Sequence, residues 1–285
     1  MTIVGVGLLG GSAGLALKAH DPQIRVAGVG RRQSSLDAAM AAGAIDTAHF
    51  DAAEAVGQTD LVILATPVGA FELHMRAIGP VLSGGAIVTD VGSTKSGVVR
   101  AARRRLGHDR FVGSHPMAGS EQKGVAFARA DLFAGATCIL TPTAKTPARV
   151  TARVERLWRR MGMRTVRMSP ARHDRAVARV SHLPHALASL LMRLPARADL
   201  DVSATGFRDA TRLASGDPEM WRDIFLTNRG QVLAAIDEFD EALMQLRDLV
   251  DLGDRKGLER FFSSARARRE TTIARVIHDR RLAAE

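Results

Sequence analysis

Tyrosine is absent from this 285-residue chain, cysteine occurs once, and aromatic residues make up only 4%. A single thiol, Cys138, excludes an intrachain disulfide and fits a reducing compartment. Within Thr137-Cys-Ile-Leu140 it reads as a small residue packed in a strand. No apolar run approaches the roughly 20 residues that span a bilayer, which argues against a membrane protein. The chain opens directly on an apolar run with no basic leader, so we expect no export signal and a cytoplasmic protein. The missing tyrosine reads as drift in an alanine- and arginine-rich sequence and carries no functional weight.

What is present is 46% apolar and 25% charged residues, the balance of a soluble globular protein, in a length that suits two domains. The net charge of +10 raises the question of nucleic acid. The basic residues are scattered, however, and neither a stacking motif nor a recognition helix accompanies them. The expected partner is instead a small anionic molecule, steered by the positive field.

Short apolar runs alternate with helical stretches through the first half: Thr2–Val6, Arg25–Val29, Leu61–Ala65, Ala86–Val91, Arg110–Ser114, Thr137–Leu140 and Arg164–Met168. That order predicts an α/β fold with a Rossmann-type, doubly wound parallel sheet over residues 1–169. From 170 to 285 the pattern is helical throughout and predicts an all-α substrate and dimerisation domain. Asp217-Pro218 is an N-cap followed by proline at the first helical position. Val232, Ile236, Phe239, Leu243, Leu246 and Val250 then line one seam of a long helix, and Leu258, Phe262, Ala265 and Val276 one side of the next. So much apolar surface on two helices predicts a homodimer, with burial inside one chain as the plainer alternative.

The hexapeptide Gly5-Val-Gly-Leu-Leu-Gly10 follows the first strand and opens a helix. In that setting Gly5 allows the turn, Gly7 the approach of a pyrophosphate, and Gly10 close helix packing, with the backbone at Leu8 and Leu9 facing the phosphates. After the second strand stand Arg31 and Arg32, where an acidic residue would bind both ribose hydroxyls of NAD. Two guanidinium groups suit a 2′-phosphate, which favours NADP, although as solvated loop charges they would leave NAD acceptable too. Thr66 and Pro67 end the third predicted strand and should flank the cofactor. Ser93 ends the next; it either donates to the carboxamide or to a substrate hydroxyl, or simply caps its own helix.

His115 lies between Ser114 and Pro116, just past the run Phe111-Val112, where the open edge of a parallel sheet holds its ligand. A histidine beside a nicotinamide is suited to take a proton while a hydride leaves the same substrate. His182 and His185 stand three apart on a helix with no cysteine or carboxylate to complete a metal set, so no metal is expected.

Seven stretches then occur in order: Gly5-Val-Gly-Leu-Leu-Gly-Gly-Ser12, Ala65-Thr-Pro-Val68, Thr89-Asp-Val-Gly-Ser-Thr-Lys95, Gly113-Ser-His-Pro-Met-Ala-Gly-Ser-Glu121, Ser181-His-Leu-Pro-His185, Gly206-Phe-Arg-Asp-Ala-Thr-Arg212 and Ser215-Gly-Asp-Pro-Glu-Met-Trp221. Through them the chain resembles the prephenate and arogenate dehydrogenases of tyrosine synthesis. The resemblance implies oxidative decarboxylation, with His115 taking the ring hydroxyl proton as hydride passes to NAD(P) and CO2 departs. It implies that Arg212, and secondarily Arg208, grip substrate carboxylates, and it brings in His182, Ser93 and Glu121 on the substrate side. Prephenate and arogenate stay open, since Glu121 either faces an ammonium or bonds its own loop. Feedback inhibition by tyrosine is left open as well; from the short stretch after Val276 we expect no separate sensing domain.

Two other readings are weighed. A dehydrogenase of the β-hydroxyacid or imine-reductase type would need a catalytic lysine on a helix of the second domain, and none lies between Lys145 and Lys256. A non-catalytic dinucleotide sensor would need neither His115 nor Arg212.

Overall fold

The computed structural model describes residues 1–120 and 122–282, and side chains as far as residue 274; Glu121 lies outside the described residues, as does the Val276 side chain. Eight strands are present: β1 Thr2–Val4, β2 Ala27–Val29, β3 Thr47–His49, β4 Leu61–Leu64, β5 Ile87–Asp90, β6 Phe111–Pro116, β7 Thr137–Thr141 and β8 Arg164–Arg167. They form one sheet in the order β3-β2-β1-β4-β5-β6-β7-β8. From β1 the chain winds outward to β3, then returns to β1's other flank with β4. The C-terminal ends of β1 and β4 therefore mark the switch point at which open α/β sheets bind ligands.

Alternate residues of the central strands point to opposite faces. Ile3 and Ile63 enter a core with Leu17, Leu36 and Trp158. Val4, Val62 and Leu64 enter a second core with Phe71, Met75 and Phe111. Both faces are covered, which is why these strands read as unbroken apolar runs. Each fully buried side chain of this size contributes about 1.5–3 kcal/mol.

The sheet departs from the expected one in three ways. β3 was not anticipated: Thr-Ala-His is short, polar and half-exposed, as an edge strand can be. β7 runs antiparallel to β6. Among the described residues the link between them carries a 3₁₀ turn, Val125–Phe127, as its only helical element, and not the crossover helix that usually makes a parallel return. β8 is again parallel to β7, reached through the helix Ala148–Arg160. Finally, β6 extends to Pro116, so His115 is a strand residue paired with Ile139 rather than one lying beyond the strand.

Among the described residues no strand follows β8. Helices run Pro170–Val177, Leu183–Arg193, Arg197–Leu200, Thr205–Thr211, Pro218–Thr227, Arg229–Asp251 and Arg255–Leu282, with a π-helical turn at Ala178–His182. The Asp217 carboxylate accepts from the Met220 N–H at 2.6 Å, the cap expected of Asp-Pro. By packing, the chain divides into one compact unit from Met1 to Arg229 and a second from Gly230 onward. Among the described residues no helix is long and apolar enough to cross a membrane.

Candidate active site

The glycine turn between β1 and the helix Leu8–His20 has the shape a pyrophosphate needs. Gly5 takes φ +104°, and a Cβ there would stand 2.7 Å from the Ala65 carbonyl. A Cβ on Gly10 would stand 1.9 Å from the Gly5 oxygen, so only glycine lets the helix close on the strand. At Gly7 a Cβ would meet nothing within 4 Å: the space before the helix is open. No side chain caps that helix, which leaves its first N–H groups to a ligand. Leu8 and Leu9 are half-buried, with Leu9 packed on the core. Thr66 and Pro67 follow β4, the Thr66 nitrogen lying against Gly5, so the turn and the β4 end meet as expected. Arg31 and Arg32 are exposed at the end of β2. These residues fit a dinucleotide.

His115 is buried, and its Nδ1 lies 2.8 Å from His173 Nε2. His173 Nδ1 in turn lies 2.9 Å from Asp174 Oδ1. Asp174 also accepts from the backbone of Lys95 at 2.7 Å and of Ser96 at 2.8 Å. Burial alone would raise the Asp174 carboxyl, but the bonds from His173, Ser96 and Lys95 outweigh it and hold the group below its ordinary value. The order of donors then follows. An ionised Asp174 accepts a hydrogen bond from His173 Nδ1–H, His173 Nε2 is then an acceptor, and His115 Nδ1–H donates to it. The lone pair of His115 is thereby placed on Nε2.

Burial first, then the electrostatic influence of His173, Lys95 and His182, pushes His115 well below the usual histidine range. Lys95 is itself fully buried against Asp90, whose carboxylate also accepts from Gly92 and Ser114 at 2.8 and 3.0 Å. Burial pushes Asp90 upward against the pull of Lys95. Ser114 completes the support: its hydroxyl meets Thr89 at 2.6 Å and accepts from Trp158 at 2.9 Å. The strand carrying the histidine is thus fixed from both sides.

His182 closes the π turn, a distortion that recurs at functional sites. Burial lowers it to about 4. Asn228 Nδ2 lies 2.9 Å from the Asp174 carbonyl and 3.3 Å from His182 Nδ1. If that contact makes Nδ1 the acceptor, the His182 proton sits on Nε2, which is buried with no partner. His185 stacks on Trp221 with ring centroids 3.6 Å apart. Ser93 is half-buried after β5 and does not cap the helix Ser96–Leu106, which the Asp174 carboxylate serves instead. Arg208 and Arg212 are exposed, and neither guanidinium makes a hydrogen bond or ion pair among the described residues. Both lie on the segment ending at Gly216, where a Cβ would meet Trp221 and His185 at 2.3 and 2.8 Å. Glu121 lies outside the described residues, but Lys123 just after it pairs with Asp217.

His173, Asp174, Asn228 and the Lys95–Asp90 pair escaped the sequence reading. His173 and Val177, four apart, share the buried face of a short helix, but in the sequence His173 and Asp174 stand among arginines and give no sign of which face turns inward.

With this geometry the relatives can be compared. Family models match residues 13–167 as the nucleotide-binding domain and 169–264 as the dimerization domain of prephenate dehydrogenase. The chain belongs to the prephenate dehydrogenase family. A cyclohexadienyl dehydrogenase of Zymomonas mobilis is 36% identical over 276 residues, 94% of each chain. The prephenate dehydrogenase of A. aeolicus, solved in complex with hydroxyphenyl propionate and NAD+, matches with a TM-score of 0.87 at 36% identity, covering 95% of this chain and 97% of that one. Synechocystis arogenate dehydrogenase matches at 0.83 and 28%, over 95% and 99%. Family membership bears out the resemblance carried by the motifs. The glycine turn precedes the matched span and rests on its own geometry.

Proposed function

We propose that this protein carries out the oxidative decarboxylation of prephenate or arogenate, with hydride transfer to a nicotinamide cofactor. The observation that carries the reading is the chain His115–His173–Asp174, which leaves a neutral imidazole with its lone pair on Nε2 at the end of a nucleotide-binding sheet. Nε2 takes the proton of the ring hydroxyl. A nicotinamide, when bound, accepts the hydride from the carbon bearing that hydroxyl. Loss of the ring carboxylate as CO2 returns its electron pair to the ring, which becomes aromatic; the ring oxygen takes its proton back from His115 Nε2, which restores the neutral base. Asp174 supports the charge that in the interval spreads over the two imidazoles, and the relay fixes which nitrogen reacts.

Substrate carboxylates are met by Arg212 and, secondarily, Arg208, whose planar forks bind an anion with two bonds. The unpartnered Nε2 of His182 supplies a hydrogen bond to a substrate oxygen, and Ser93 orients the carboxamide or the hydroxyl. The family motif also brings in Glu121, outside the described residues, as a candidate on the substrate side. Arg31 and Arg32 favour NADP over NAD through a 2′-phosphate. The division of labour we propose is a cofactor domain over 1–169 and a substrate and dimer domain over 170–285. Ile236, Leu243 and Val250 on the seam of the helix Arg229–Asp251 stand exposed in a single chain, which supports a homodimer. The deciding experiment is the initial rate of reduced-cofactor formation with prephenate and with arogenate, each paired with NAD and with NADP. Turnover in none of the four pairs, from folded protein that binds cofactor, overturns the reading.

A further inference from the structure

A cavity of about 440 Å³ opens between the helix Ser96–Leu106, the end of β7, the loop 143–146 and the start of the helix Pro170–Val177. None of the residues assigned above to cofactor or substrate lines it. Its volume lies in the range of small-molecule sites, about 300–1,000 Å³. Arg100, Arg103 and Lys145 line it, and no aspartate or glutamate does. Arg100 and Arg103 stand three residues apart on one helix face. None of the three cations makes an ion pair among the described residues, whereas the adjacent Arg104 and Arg105 both meet Glu72. The charge facing the cavity is the part of this helix left unneutralised. Val99, Phe111 and Pro170 give the same cavity an apolar side. The rim loop closes on itself through the Thr146 hydroxyl, which accepts from the Thr143 N–H at 3.0 Å.

We propose that this cavity is an effector site for a small organic anion with an apolar body, and that its occupant acts on the His115 relay. The anionic head meets Arg100, Arg103 and Lys145; the body covers Phe111 and Pro170. The two helices that frame the cavity meet at Asp174. One begins at Pro170, on the cavity wall, and carries His173 and Asp174; the other presents the Lys95 and Ser96 N–H groups to the Asp174 carboxylate. An occupant bridging both helices shifts their seating, and with it the distance between His173 and His115.

The coupling rests on the function proposed above, so binding is measured separately from turnover. Phenyl phosphate is titrated calorimetrically into the full chain without cofactor, with inorganic phosphate as a second probe and excess prephenate as a competitor. We expect binding of phenyl phosphate that prephenate does not displace, that is at least tenfold tighter than inorganic phosphate, and that weakens at least tenfold in Arg100→Ser/Arg103→Ser and in Lys145→Ser. At saturating prephenate and cofactor, phenyl phosphate shifts kcat at least twofold in the wild type and not in the double variant, whose own kcat is unchanged. Equal binding in all three proteins, displacement by prephenate, parity between the two probes, or an unmoved kcat at saturation overturns the proposal. A protein without any turnover sinks the proposed function instead, and leaves the binding result standing.

Discussion

Nε2 of His173 lies 2.8 Å from Nδ1 of His115, and that contact decides which nitrogen of His115 is free to act as a base. Because His173 is itself bonded to a carboxylate held ionised, it accepts from His115 and does not donate. Replacing His115 by Asn should abolish turnover while cofactor binding persists. His173→Ala should lower kcat by about 10²-fold, the lower range for loss of an acid–base contribution. In His173→Gln the amide oxygen accepts from His115 Nδ1–H, and activity should partly return. Equal rates for the Ala and Gln variants would show that the tautomer argument is wrong.

The pH dependence follows from the same surroundings. The active form of His115 is neutral, and burial, followed by the electrostatic influence of His173, Lys95 and His182, lowers its affinity for a proton. The neutral population therefore extends to lower pH than for a free imidazole. The plot of kcat/KM against pH should stay flat from 8 down through 6.5, and its acid limb should fall below 6.5. An acid limb centred at or above 6.5 would mean that a different group is the base.

The guanidinium groups of Arg31 and Arg32 have no hydrogen-bond or ion-pair partner among the described residues, and Arg31 is near enough to help depress His74, after burial. A charge-assisted bond to a 2′-phosphate is worth about 1.5–3 kcal/mol, or roughly 10–100-fold in affinity. Arg31→Ser/Arg32→Ser should raise KM for NADP by about that factor and leave KM for NAD nearly unchanged. Equal increases for both cofactors would show that the pair does not read the 2′ position.

How much of this was legible depended on whether the signal was local. The glycine turn, the Asp217-Pro218 cap and the central strands are set by neighbours in sequence, and each was found where expected. β3 was missed because three residues at a sheet edge, with Ala48 as the one apolar member, have no apolar period to betray them. The antiparallel β7 was missed because direction is decided by what the preceding link contains, and Met117–Ala136 carries no helix pattern strong enough to read either way. His173 and Asp174 sit among arginines in Arg172-His-Asp-Arg175, which reads as a solvated face. Only the packing of the helix Pro170–Val177 on the helix Ser96–Leu106 turns them inward. The motifs located His115, but the residues that fix its tautomer lie on another helix and become visible only in three dimensions.

Lys95 and Asp90 were quoted within a motif and given no part, yet both are completely buried and paired. Removing one partner of a buried pair strands the other, at a cost of about 3–5 kcal/mol. Lys95→Met should therefore produce a large fall in Tm, since Asp90 would keep only its bonds from the Gly92 and Ser114 backbones. Asp90→Asn/Lys95→Met leaves no uncompensated charge and should lose less. Lys95 also lowers the proton affinity of His115, so the variant has a second readout: with that charge gone, the acid limb of kcat/KM should move toward higher pH. The direction of that move separates the two roles. A Tm drop with a fixed acid limb would make Lys95 a prop for β6 alone, whereas both changes together would show that the pair beneath the strand also keeps the base unprotonated.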